Sequence, residues 1–324
     1  MALKHGGRLR EAAKCYGIPE ADWLDLSTGI NPDGWPVPAI PAELWRNLPQ
    51  HDDELADVAC AYYRTSLLLP VSGSQAAIQA LPALYKLGTV ALAYPAYAEH
   101  EYAWQTQGHQ ILRTDDLLHA DADVVVVVNP NNPTGTTYRA EQLLALHERL
   151  KARGGLLVVD EAFIDATPDH SLAPYCPRPG LIVLRSLGKF FGLAGARVGF
   201  VLAEPSVLDA LAEKLGPWPI AAPSRYVAKL ALSDTVWQQT ARHALHAAGL
   251  RLEEMLTRHG LAPSGGCSLF QWLSTADAAS VHRQLAQQGI LTRLFDQPSS
   301  LRFGLPSGEH NWARLDAALM GIRR

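Results

Sequence analysis

LIVLRSLGKFFGLAGARVGF, residues 181–200, is the stretch from which the rest of the chain can be read. Four apolar residues at 181–184 suit a buried strand, and the small residues after them make a turn carrying one lysine, Lys189, between Ser186 and Arg197. A lysine on a turn between apolar segments is partly desolvated, which disfavours its ammonium form and leaves an amine able to condense with an aldehyde. Taken singly, a loop lysine is a surface residue. This one has Ser186 three residues before it, Arg197 eight after it, and glycines at 188, 192, 195 and 199 that let backbone approach a ligand. The planar fork of arginine matches a phosphate, and a serine hydroxyl donates to the same group. The cluster reads as a phosphate grip beside a Schiff-base amine, which is what pyridoxal phosphate (PLP) asks for.

Working outward, the apolar segment 67–71 runs into SGSQAAIQALPALYKLG, residues 72–88. A strand, then Gly and Ser, then a helix-forming pattern offers free N–H groups at a strand's end. Gly73, Ser74 and Gln75 therefore make the other half of a phosphate cup, although alone they read as a plain Ser-capped helix. A strand at 90–93 ends at Tyr94-Pro95-Ala96-Tyr97, where a tyrosine can lie flat on a heteroaromatic ring. The valine run in 123–128 leads into NPNNPTG, 129–135, whose prolines fix the loop and hold an amide such as Asn132 at the strand end. After a helical stretch at 141–153, GGLLVVDEAF closes a further strand on Asp160 and Glu161.

Strands near 67, 91, 125, 157 and 182 with helical segments between them predict an α/β domain with a mostly parallel sheet flanked by helices, its polar residues at the strand ends. From about 221 the pattern becomes that of a smaller α+β domain. Residues 1–50 read as an arm and substrate loop, 51–220 as the large PLP-binding domain, 221–324 as the small domain, with a hinge at 217–223.

Composition excludes several classes. The 324 residues carry a net charge of −4 and are 48% apolar, so no basic excess points to nucleic acid or to an anionic membrane surface. The opening MALKHGGRLREAAKCYG lacks the apolar core of a secretion signal, and no run is long enough to span a bilayer. Cys15, Cys60, Cys176 and Cys267 show no metal spacing and suit free thiols in a reducing cytoplasm. LLVVDEA also fits a strand that ends on a Mg²⁺-holding carboxylate, but no GxxxxGK(S/T) loop accompanies it. In the PLP reading Asp160 is instead a buried partner of the ring nitrogen, and no metal is expected.

NPNNPTG, DEAF and SLGKxFGLAGARxGF, in this order, resemble the fold-type-I PLP enzymes of the aspartate aminotransferase superfamily. The resemblance implies that Lys189 carries the cofactor as a Schiff base, Asp160 pairs with the pyridine nitrogen and Asn132 with the ring oxygen. It also implies that Ser186, Arg197 and the Gly73-Ser74-Gln75 turn hold the phosphate, that Tyr97 stacks on the ring, and that Arg302 takes a substrate carboxylate.

Within the superfamily, HGGRLREAAKCYGIP, DWLDLSTGINP and LPVSGSQAAIQALP are similar to the threonine-phosphate decarboxylase family of cobalamin biosynthesis. That similarity implies decarboxylation of L-threonine O-3-phosphate, with His5, Gly6, Asn31, Asn132, Arg293 and Arg302 on the substrate, in a cytoplasmic homodimer. The alternatives are an aminotransferase similar to histidinol-phosphate aminotransferase and a non-catalytic PLP-binding sensor domain. Relatives of the aminotransferase type usually have Tyr where Phe163 and Leu48 stand here.

Overall fold

A computed structural model describes Leu3 and residues 5–322. Met1, Ala2 and Lys4 of the opening segment lie outside the described residues. The chain divides into two compact units. Gly34–Asn132 with Thr137–Ala241 form the larger, and the chain up to Asp33, Pro133–Thr136 and the chain from Arg242 form the smaller.

In chain order the smaller unit begins with α1 (Leu9–Tyr16) and the two-residue β1 (Leu24–Asp25). The larger unit follows with α2 (Leu55–Tyr63), β2 (Leu69–Val71), α3 (Ser74–Ala80), β3 (Thr89–Ala93), α4 (Ala98–Thr106), β4 (Gln110–Thr114), β5 (Val124–Val128), α5 (Ala140–Lys151) and β6 (Leu156–Asp160). It continues through β7 (Leu181–Ser186), β8 (Gly199–Leu202), α6 (Pro205–Leu215) and α7 (Ala222–Ser233), and α8 (Thr235–Arg258) carries the chain back into the smaller unit. The remaining elements are β9 (Gly265–Cys267), β10 (Phe270–Ser274), α9 (Ala278–Ala286), β11 (Ile290–Leu291), β12 (Arg293–Phe295), β13 (Ser300–Gly304) and α10 (Gly308–Met320).

The larger unit is built on a 7-stranded sheet in the order β2-β8-β7-β6-β5-β3-β4. From β7 to β4 every pairing is parallel, whereas β8 runs antiparallel to both β7 and β2. Parallel strands covered on both faces read as unbroken apolar runs, and VVVVV in β5 and LLVVD in β6 are buried at every position. Each fully buried aliphatic side chain contributes about 1.5–3 kcal/mol. One face of the sheet packs Val124, Val126, Leu156, Val158, Ile182 and Leu184 against Ile78, Leu81, Trp104, Leu208 and Leu211 from the covering helices.

The smaller unit holds a 4-stranded antiparallel sheet, β12-β13-β10-β9, and a short parallel pair of β1 with β11. Ala12 of α1 and Trp23 share a small core with Ala286 and Leu291.

The units do not follow the boundaries expected at 50/51 and 220/221. The N-terminal segment divides at Asp33, because Leu24 and Asp25 pair with Ile290 and Leu291 and so belong with the C-terminal elements. Helix α7 stays with the larger unit because it packs on α2, tied there by the Arg225–Asp53 ion pair. The expected hinge at 217–223 therefore lies inside one unit, and the division falls at Ala241 within α8. The mostly parallel sheet stands as expected, but β4 and the antiparallel β8 add strands that the sequence pattern did not separate from their neighbours.

Candidate active site

The C-terminal ends of β5, β6 and β7 and the start of α3 enclose a cleft of about 620 Å³, including its open mouth. Ser74, Gln75, Tyr97, Asn132, Asp160, Ser186, Lys189 and Arg197 all line it, along with Phe163. Residues separated by more than a hundred positions in the chain meet here because a parallel sheet delivers all its strand ends to one edge.

Asp160, the last residue of β6, is 2% exposed. Its Oδ1 accepts the Ala162 N–H at 3.0 Å, and its Oδ2 lies 2.8 Å from Nε2 of His100, itself 1% exposed, on α4. An imidazole that carries its proton on Nε2 donates to this oxygen and fixes the carboxylate's direction. His100 was not anticipated from the sequence. The signal was its place three residues after Tyr97, which a helix starting at Ala98 brings close to the strand ends.

On β7, Ser186 faces the cleft and its Oγ accepts the Gly188 N–H at 3.2 Å, which begins the turn presenting Lys189. Lys189 Nζ stands 5.5 Å from the centroid of the Phe163 ring, so one wall beside the amine is an aromatic face. Opposite, Gly73 has φ +70°, a conformation that favours glycine, and a Cβ there would sit 2.6 Å from Nη2 of Arg197. A Cβ on Gly199 would meet the Ser74 nitrogen at 2.5 Å, so the absence of a side chain on β8 lets the 73–75 turn approach the sheet. Arg197 and the start of α3 thus face one small space lined by donors.

Tyr97 is held by a chain of hydrogen bonds. Its hydroxyl donates to Gln75 Oε1 at 3.0 Å, and Gln75 Nε2 donates to Glu99 Oε2 at 2.7 Å, which also accepts from Gln79 at 2.9 Å. The loop after β5 is clamped by its own amides. Asn129 donates to the Tyr138 carbonyl at 3.1 Å and accepts its N–H at 2.8 Å, while Asn131 donates to the Pro95 carbonyl at 2.9 Å.

Behind the sheet lies a second feature that sequence reading missed. Arg185, 2% exposed, donates from Nη1 to Glu161 Oε2 at 2.6 Å and from Nη2 to Asp165 Oδ1. The Ser171 hydroxyl and the Leu172 N–H donate to Glu161, each at 2.6 Å, and the Tyr62 hydroxyl donates to Asp165 at 3.0 Å. Burial pushes the Glu161 carboxyl up against the pull of Arg185. Burial also pulls the Arg185 guanidinium down, but Asp165 and Glu161 outweigh it and leave it above its usual range.

The residues expected at the substrate belong to the smaller unit, apart from Asn132. His5 is exposed, Asn31 is buried and accepts the Asp33 N–H at 3.0 Å, and Gly6 lies so near Ser27 that a Cβ would be 2.2 Å from its carbonyl oxygen. Arg302 is buried and donates from Nη2 to the Ser27 carbonyl at 2.9 Å. Arg293 is its register partner across β12 and β13. Burial, with the charge of Arg8 nearby, holds Arg293 below the usual arginine range. Among the described residues no cluster of three or more His, Cys, Asp or Glu side chains could hold a metal ion.

A sequence model of the family described as aminotransferase class I and II matches residues 43–319. The chain belongs to this family. Within the aminotransferase class I and II family it is 56% identical to a threonine-phosphate decarboxylase of Pseudomonas aeruginosa, over 99% of this chain and 98% of that one. It is 43% identical to a threonine-phosphate decarboxylase of a Sinorhizobium species, over 98% and 97% of the two chains. Among solved structures, the histidinol-phosphate aminotransferase of Sinorhizobium meliloti in complex with pyridoxal-5'-phosphate superposes with a TM-score of 0.82 at 20% identity. That match covers 99% of this chain and 98% of the other, and it shows a shared fold.

Proposed function

We propose that the protein is a PLP-dependent decarboxylase that converts L-threonine O-3-phosphate to (R)-1-amino-2-propanol O-2-phosphate, the reaction that cobalamin synthesis requires. The observation that carries this is 56% identity over essentially the full length to a relative named for that activity, combined with a cleft furnished for the cofactor.

The cleft fits PLP by two structural tests. Its one fully buried acid is braced by a histidine and a backbone N–H, suiting it to face a protonated ring nitrogen. Its opposite end is the donor-lined space at Gly73, Ser74, Ser186 and Arg197, where a side chain on residue 73 would collide with the guanidinium. Asp160 would pair with the ring nitrogen, Asn132 with the ring oxygen and Tyr97 with the ring face. Ser74, Ser186, Arg197 and the backbone of residues 73–75 would hold the phosphate, and Lys189 would bind the aldehyde.

When bound, the cofactor supplies an electron sink for the pair released at the substrate α-carbon. The chain's residues decide which bond yields that pair. A grip on the substrate's anionic groups that orients its carboxylate for cleavage would select loss of CO₂ over loss of the α-proton. Arg302 and Asn132 take the carboxylate, and His5, Gly6, Asn31 and Arg293 the remaining substrate groups. After the C–C bond breaks and CO₂ leaves, Lys189 Nζ gives a proton to the α-carbon, and the amine departs with its phosphate ester intact. Lys189 and Asp160 are thus the catalytic residues.

The enzyme acts in the cytoplasm and as a homodimer in this reading.

The test is incubation of the PLP-loaded protein with carboxyl-labelled phosphothreonine, following CO₂ and amine with and without an added keto acid. Equal amounts of CO₂ and aminopropanol phosphate, independent of keto acid, are expected. Amine exchange that requires keto acid and releases no CO₂ would make it an aminotransferase instead.

A further inference from the structure

Within the larger unit a line of hydrogen bonds runs in from the surface and ends on the Tyr97 ring. Gln75 and Gln79 lie one turn apart on α3, so both side chains leave the same face of that helix. Glu99, in the first turn of α4, meets both, its Oε2 accepting from Gln75 Nε2 at 2.7 Å and from Gln79 Nε2 at 2.9 Å. Gln75 Oε1 in turn accepts the Tyr97 hydroxyl at 3.0 Å. Tyr97 and Gln75 line the cleft, and Glu99 stands one residue further back along the line.

The direction of each bond is forced. A carboxylate only accepts, so the Gln75 amide presents its NH₂ to Glu99 and its oxygen to Tyr97. Turned the other way, the amide oxygen would face the carboxylate and two acceptors would repel. With that oxygen toward Tyr97 the phenol must donate, and its proton is committed to Gln75. A bond at the far end of the ring stops it swinging about χ1. Because a phenolic O–H lies in the plane of its ring, the bond also resists rotation about χ2. The ring meets His100 edge-on as well, with centroids 6.1 Å and planes 81° apart, and His100 is the residue that braces Asp160.

This inference rests on the PLP reading above. We infer that Glu99 and Gln75 are positioning residues that hold the Tyr97 ring where it covers the face of the PLP ring, Glu99 by orienting the Gln75 amide and Gln75 by holding the phenol. The Gln75 side chain is engaged with Tyr97 and Glu99, so its part in the phosphate cup falls to its backbone N–H. Stacking depends on the relative geometry of the two rings, and a ring ordered before the cofactor arrives gives up little freedom on binding it. Gln79 is exposed and Gln75 and Glu99 are only partly buried, so these bonds contribute little to folding itself.

The test is Glu99→Ala, made in the wild type and again in Tyr97→Phe. Three quantities are measured: the dissociation constant of PLP, the visible circular dichroism per bound PLP, and the thermal unfolding of the ligand-free protein. Glu99→Ala alone is expected to weaken PLP binding about three- to tenfold and to diminish the dichroism, with heat stability little changed. In Tyr97→Phe, which has no hydroxyl to receive the line, it is expected to change neither PLP quantity further. Should Glu99→Ala fail to fold, Gln75→Met breaks the same line one link nearer the ring, keeps the backbone N–H, and carries the same comparison. Unchanged affinity and dichroism in Glu99→Ala, or an equal loss whether residue 97 is Tyr or Phe, would overturn the positioning role alone. Wild-type protein that takes up no PLP would overturn the reading beneath it.

Discussion

At the scale of single residues, Phe163 is the most informative departure from the pattern of aminotransferase relatives. Its ring stands 5.5 Å from Lys189 Nζ and has no hydroxyl to offer the oxygen and nitrogen that this lysine and the cofactor would share. A donor there stabilises the deprotonated form of that pair, so its absence raises the pH at which the pair titrates. Phe163→Tyr is therefore expected to shift the midpoint of the visible absorbance titration of PLP-loaded protein to lower pH. An unmoved midpoint would show that the missing phenol has no electronic consequence. Lys189, Asp160, Asn132, Ser186 and Arg197 were legible in the sequence because each sits in a short motif at a strand end. His100 was not, because its partner is 60 positions away and nothing local marks it.

At the scale of elements, the Arg185 cluster joins β6, β7, the loop through Ser171 and helix α2 in a space closed to water. Removing the Arg185 guanidinium takes away the cation that both Glu161 and Asp165 bind and leaves two buried carboxylates without it. Breaking such a pair from one side costs about 3–5 kcal/mol. Arg185→Leu is expected to lose that much in denaturant unfolding. A loss below about 1 kcal/mol, the value of a surface pair, would mean that water or relaxation rescues the carboxylates.

The clasp of α2 on α7 gives a second handle. Burial raises the Asp53 carboxyl, but the bidentate Arg225 at 2.6 and 2.7 Å outweighs it and holds the group below the usual aspartate range. A depressed folded-state pKa contributes stability that is complete above the unfolded value, about 3.9, and is lost as pH falls through the folded one. Asp53→Asn should accordingly lower stability at neutral pH and flatten its decline on acidification below about pH 4, where the wild type loses this contribution. Parallel acid limbs for the two proteins would contradict the clasp. Neither interaction could be read from the sequence. Arg185 sits in an apolar run where it looks like an interruption, and the partners Asp53 and Arg225 are 172 residues apart.

At the scale of the molecule, the apolar runs at 124–128, 156–160 and 181–186 gave away a parallel sheet, since only strands covered on both faces need no polar alternation. The antiparallel turn-back of β8 was hidden because its direction depends on tertiary pairing with β7 and β2. Unit boundaries were hidden for a similar reason, as the two residues of β1 choose their unit by pairing with β11 near the far end of the chain. What the sheet achieves is delivery of the Asp160 carboxylate, the Lys189 amine and the Arg197 guanidinium to one cleft from separate motifs. The most direct check on that arrangement is borohydride reduction of the PLP-loaded protein followed by peptide mapping. Reduced cofactor is expected on the peptide that contains Lys189, and none in Lys189→Ala. Cofactor fixed to a different lysine, or equal labelling of the variant, would contradict it.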